Sequence, residues 1–256
     1  MLQAHSWLWY YLWGTPQVLL FGLGIWLCGR GLWRQWPAFL AFAILGSSGE
    51  MAVLAADVIP SVPAQTFWRI YWVVLLVGSL LKFFVIGEIF SRVFNPYPAV
   101  SRVGRILVSG FGAALVLTAA LFAAFAVRND TNRLIFGFHL LEQTVFLIES
   151  GLIVALFLFA GYFRLSWDRF AFGLAVGLGL SACEQLAAWA VVANASPSSH
   201  GRTLLEFLNM ATYHVAVLIW IYYLLVPGKA VAKSAVSLPE HNLEVWNREL
   251  ERLLQQ

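Results

Sequence analysis

The chain has 256 residues, 61% of them hydrophobic and 11% charged, with a formal net charge of +3 and a mean hydropathy of +0.76. Soluble domains carry about 25% charged residues, so this composition excludes a water-solvated globule and leaves one polytopic membrane domain with no room for a separate enzyme module. The small positive charge does not point to nucleic acid, because the arginines and lysines are dispersed at helix ends, where they act as topology signals.

Seven apolar segments are each long enough to span a bilayer: Trp7–Leu32, Pro37–Ile59, Phe67–Phe94, Arg105–Val127, Leu134–Phe163, Phe170–Ala193 and Thr203–Val226. The sequence therefore predicts an all-α, seven-helix membrane domain over residues 1–228, a linker over 229–239 and a polar amphipathic helix over 240–256. Before the first span, MLQAHSWLWYYLWGTP lacks a basic leader and a small-residue cleavage site, and it reads as an aromatic interfacial collar rather than a cleaved signal peptide. Pro16 is expected to bend the first span. Arg30 and Arg34 follow the first span, Arg92, Arg102 and Arg105 the third, and Arg164 and Arg169 the fifth, while Lys229 and Lys233 lie in the tail. The alternate loops are poorer in positive charge, which places the N-terminus outside and the C-terminus in the cytoplasm of a cell (plasma or inner) membrane. Asn129-Asp130-Thr131 then falls on the outer side as a glycosylation sequon, relevant only in a eukaryotic secretory route.

Ionisable groups inside the spans carry the functional information, because a central charge costs about 2.5–3.5 kcal/mol on insertion scales. The second span holds Glu50 and Asp57 and the third Lys82 and Glu88. The fifth holds His139, Glu142 and Glu149, which fall within about 80° of one another on one helix face. The sixth contributes Glu184, and the seventh Glu206, Asn209, Tyr213 and His214. Glu50, Glu142, Glu149, Glu184 and His214 all fall between the outer third and the midplane, the pattern expected of one shared cavity open to the outside. Lys82 needs a counter-charge, and Glu149 or Glu50 is the obvious partner. The acids outnumber this one lysine, which points to a proton-responsive or cation-binding cavity.

Three uses of such a set compete: structural ion pairs and hydrogen bonds, a binding site for a small ligand, cation or proton, and a metal centre. His139 and Glu142 stand at i, i+3, the reverse of the Glu-x-x-His order of di-iron bundles, so a metal would draw on His139, Glu142, Glu184 and His214. A retinal protein is disfavoured because the last span has no lysine, and no nucleotide or hydrolase fingerprint occurs in the required context. The residues name no cofactor. Gly173, Gly177 and Gly179, with Gly110 and Gly112, read as close helix packing. Cys28 and Cys183 sit in separate apolar segments and form no recognisable redox or zinc motif.

The tail repeats Leu243, Trp246, Leu250 and Leu253 at 3-4-3 spacing, a seam for a protein partner, a homodimer or the membrane surface. A weak internal echo links Trp36-Pro37-Ala38-Phe39 and Glu50 with Trp167-Asp168-Arg169-Phe170 and Glu184, as a three-plus-one-plus-three transporter repeat would. The layout is similar to that of small seven-helix sensor or receptor-like proteins, although no motif carries the likeness. The expectation is a non-enzymatic sensor whose acidic intramembrane cavity (Glu50, Lys82, His139, Glu142, Glu149, Glu184, Glu206 and His214) binds a small ligand, cation or proton. A small transporter using the same cavity is the alternative, and a metal-dependent membrane enzyme the third reading. The bilayer and a small ligand or ion are the expected partners, with no nucleic acid.

Overall fold

The structure, a computed structural model, describes residues 5–94, 131–162 (131–143 by backbone only), 167–195 and 199–226, with isolated helical positions between 102 and 117 and at 245, 248 and 252. Among these residues all regular structure is helical, and six helices are long and apolar enough to cross a membrane. They are α1 (Trp7–Gly29), α2 (Pro37–Val58), α3 (Ala64–Val93), α4 (Thr131–Tyr162), α5 (Arg169–Ala195) and α6 (Ser199–Leu225). They match six of the seven expected spans. The expected span Arg105–Val127 lies largely outside the described residues, as do the linker 229–239 and the tail seam Leu243, Trp246, Leu250 and Leu253.

Local chemistry sets the helix ends. Ser6 caps α1 by accepting the Trp9 N–H at 3.3 Å, and the helix continues through Pro16. Gly31, at φ 70°, turns the chain after α1, a conformation that suits glycine. Pro37 opens α2 at a position that needs no amide donor, and Asp168 starts α5 by accepting the Ala171 N–H at 3.4 Å. Within α2, Phe42–Gly46 forms a π-helical turn. Just beyond it, Ser47 donates its hydroxyl to the Ala43 carbonyl and Ser48 donates to Ile44 at 2.6 Å, so side chains supplement the loosened backbone ladder.

The helices close a ring: α1 packs on α2, α2 on α3, α3 on α4, α4 on α5, α5 on α6 and α6 back on α1, with α3 also reaching α5. We call the side on which α1 begins the near face. Arg92, at the end of α3, lies 3.8 Å from the ring centroid of Trp36 at the start of α2. Phe157, late in α4, stacks on Trp167 just before α5. Both contacts lie towards the far face, so α3 and α4 run in the same direction.

The far half of the ring is filled by aromatic side chains meeting edge to face. Trp36 and Phe39 contact Phe170 at 4.9 and 5.3 Å between centroids, while Phe39 and Phe42 contact Trp220 at 5.8 and 5.9 Å. Trp220 is 1% exposed and donates its indole N–H to the Leu174 carbonyl at 3.4 Å. Gly173 and Gly177 allow α5 to approach this closely, because a Cβ on either would run into Tyr223 or Trp220. The packing role expected of these two glycines therefore holds, as it does for Gly179, where a Cβ would lie 3.1 Å from Ile153, whereas a Cβ at Gly110 would meet nothing within 4 Å among the described residues. Burial covers no more than 39% of the apolar stretch in any of the six helices, and the outward remainder carries side chains such as Val18, Val73, Leu158 and Leu218. A soluble protein does not leave so much apolar surface in water, and these features are those of a multi-pass membrane protein.

Candidate intramembrane binding site

Above the aromatic filling, towards the near face, the same helices present polar groups to one another. Trp13 of α1 donates its indole N–H to Glu50 of α2 at 3.4 Å. Tyr213 of α6 has its hydroxyl near the Gln17 and Glu50 side chains. Its ring rests edge-on against Trp220 at 6.2 Å, so Tyr213 is the seam between the aromatic and polar halves. Gln17 is 4% exposed, and its Oε1 has no hydrogen-bond partner among the described residues.

Glu184 stands seven residues beyond Gly177, two turns along the same side of α5, facing α6. Its neighbour Gln185 donates to Asn209 of α6 at 3.4 Å. Both carboxylate oxygens of Glu184 are buried, and neither has a hydrogen-bond partner among the described residues. On the other side of the ring, Lys82 of α3 pairs with Glu149 of α4 at 3.5 Å and lies 5.6 Å from the Phe146 ring centroid. The Glu149 side chain is only 4% exposed, and its second oxygen and the neighbouring Ser150 hydroxyl lack partners among the described residues. Of the two counter-charges expected for Lys82, the geometry selects Glu149.

Nearer the membrane surface lies a mixed cluster. Tyr10 donates to Asp57 at 3.3 Å, and His5 Nδ1 lies 3.0 Å from the Tyr10 hydroxyl and 3.3 Å from Asp57. Glu206 is within electrostatic reach of His5. His214 occupies a different place, the seam between α6 and α1, where its ring stacks on Tyr11 at 6.0 Å and its Nδ1 has no partner among the described residues. Tyr11 is 43% exposed, whereas the His214 Nδ1 beneath it is buried. Glu88 lies in the far half, where it accepts the Phe39 N–H at 3.1 Å and caps α2 from a neighbouring helix.

His139 and Glu142 lie on α4, but their side chains fall outside the described residues. Among the described residues no three of His, Cys, Asp and Glu come together as a metal site. The structure thus brings Glu50, Gln17 and Tyr213 together, pairs Lys82 with Glu149, leaves the buried Glu184 oxygens without a partner among the described residues, and groups Glu206 with the surface cluster. Trp13, Gln17, Tyr10 and His5 were not expected in the site. One signal for them exists: Gln17 is a lone amide in an apolar run, with Trp13 one turn before it on the same face. The chain matches no family model, no curated protein and no solved structure, so function rests on these side chains alone.

Proposed function

We propose that this protein is a membrane sensor that binds a small cation, a proton or a polar ligand among the buried groups of the near half of the ring, with Glu184 at the centre. The observation that carries this reading is the Glu184 carboxylate, whose two oxygens are buried without a hydrogen-bond partner among the described residues, beside the Gln185–Asn209 hydrogen bond. A carboxyl desolvated without a compensating partner costs several kcal/mol, a price suited to a group that meets its partner from outside the chain. Glu50 and Tyr213 supply a second acid and a hydroxyl, and Lys82–Glu149 supplies a fixed ion pair across the ring. Seven crossings, with the N-terminus outside and the C-terminus in the cytoplasm, agree with the arginine distribution. They agree also with α3 and α4 running in the same direction, with the span Arg105–Val127 between them. In this reading occupancy shifts α5 against α6, and the tail Glu240–Gln256 reports it.

The test is a thermal-shift titration of the purified full chain with alkali and alkaline-earth cations and primary amines across pH. A ligand that raises Tm in the wild type should have no effect on Glu184→Gln, whose own Tm stays close to that of the wild type. A variant that responds like the wild type, or one that is merely less stable, overturns the assignment.

Transport is the second reading, and one contact favours it. Phe39 and Phe170, which occupy matching positions in the echo between α2 and α5, meet edge to face at 5.3 Å, as two copies of a parallel repeat would around a shared axis. Removing residues 238–256 should silence a sensor yet leave flux through proteoliposomes intact. Metal analysis of the purified protein addresses the third reading, in which His139, Glu142, Glu184 and His214 would serve a membrane enzyme.

A further inference from the structure

At the far face, away from the polar half of the ring, a cleft of about 1300 Å³ opens between α2 and α3 and reaches the helical positions near residue 106. Three arginines line its mouth: Arg34 from the turn before α2, Arg92 at the end of α3, and Arg102. Stacking holds two of them in place, with Arg92 over Trp36 at 3.8 Å and Arg34 over Trp33 at 5.0 Å. Two carboxylates also line the cleft: Glu88 accepts the Phe39 N–H and lies within electrostatic reach of Arg92, and Asp168 accepts the Ala171 N–H, so Arg34 and Arg102 are the arginines least offset by these acids. Deeper, the wall is apolar, with Leu81, Phe84 and Ile106, and Phe84 is 58% exposed. From Arg92 to Leu81 the helix rises about 16 Å towards the membrane interior, enough for a headgroup and the upper part of an acyl chain.

We propose that this cleft is a binding site for an anionic phospholipid, its headgroup phosphate held by Arg34, Arg92 and Arg102 and one acyl chain lying along Leu81, Phe84 and Ile106. Charge complementarity selects the occupant. A zwitterionic lipid brings its own cation to the arginines, whereas an anionic one leaves its phosphate charge free for guanidinium pairing. The apolar wall beneath the arginines distinguishes a lipid from a free phosphate, which would gain nothing from it. This site is independent of the ligand proposed at Glu184.

The experiment uses the full chain, purified and delipidated in detergent, and titrates it with phosphatidylglycerol and phosphatidylcholine of identical chains under native mass spectrometry. The wild type should bind phosphatidylglycerol at least about tenfold tighter than phosphatidylcholine. Each basic side chain near a membrane surface contributes about a fivefold preference for anionic lipid, so Arg34→Gln with Arg102→Gln should weaken phosphatidylglycerol binding about thirtyfold. Arg30→Gln, on the same face but outside the cleft, should leave it unchanged. Equal affinity for the two lipids overturns the proposal. So does an Arg30→Gln effect as large as that of the double variant, or displacement of the lipid by inorganic phosphate alone. Should the double variant fail to fold, the wild-type preference decides by itself, since it must exist and must fall at about 0.5 M salt.

Discussion

Towards the far face the ring is closed by Trp36, Phe39, Phe42, Phe170 and Trp220, whereas halfway to the near face Gln17, Glu50 and Tyr213 gather and the Glu184 carboxylate is buried on α5. The far half satisfies its few polar atoms locally: the Trp220 indole has the Leu174 carbonyl, and Glu88 has the Phe39 amide. The near half leaves atoms of Gln17, Glu184 and Glu149 without a partner among the described residues. Inside a membrane no apolar driving force separates interior from exterior, so close packing must hold the helices together and polar groups are retained at a cost. The contrast is between a half whose polar atoms are satisfied locally and a half that keeps buried polar atoms without partners among the described residues, the feature on which the proposed binding site rests.

That contrast can be broken or sharpened by substitution, with folding stability read as the midpoint of unfolding in detergent. Trp220→Ala should have the largest effect, a loss of about 3–5 kcal/mol, because it removes the ring against which Phe39, Phe42 and Tyr213 lean. Lys82→Met should follow at about 3 kcal/mol by leaving Glu149 buried without its counter-charge, and adding Glu149→Gln should recover most of the loss. Gly177→Ala should cost about 2 kcal/mol through collision with Trp220, and it should separate α5 from α6 more than it affects α3 and α4. Glu184→Gln should change stability least, by less than about 1 kcal/mol, since no hydrogen bond within the described residues is lost. A large loss there would erase the distinction between the halves and return Glu184 to a structural role.

Much of this was legible in the residues. Hydropathy marks the six described spans because each must present apolar surface to lipid whatever its neighbours, and an acid inside such a run stands out for the same reason. The partner of Lys82 was narrowed to two candidates, and only the packing of α3 on α4 could choose between them. The destinations of the acids were not legible. Glu88 and Glu50 look alike in sequence, yet one caps α2 in the far half and the other meets Trp13 and Tyr213 near mid-depth. His214, expected among the cavity residues, stacks on Tyr11 of α1 with its Nδ1 buried, a neighbour the sequence does not indicate. The π-helical turn at Phe42–Gly46 has no hydropathy signature, because adding a residue to one turn alters the hydrogen-bond count and not the composition. Only the Ser47-Ser48 pair hints at it, as two hydroxyls able to reach carbonyls in the preceding turn.

The pairing of Lys82 with Glu149 also constrains how the chain can be made. The two residues are 67 positions apart in sequence, so α3 emerges from the ribosome as a segment with a solitary ammonium long before its counter-ion has been synthesised. Until α4 arrives, that ammonium has to be tolerated by the insertion machinery or drawn towards an interface on its long side chain. The completed ring is therefore a product of late assembly, in which the arrival of one helix secures another that was already laid down.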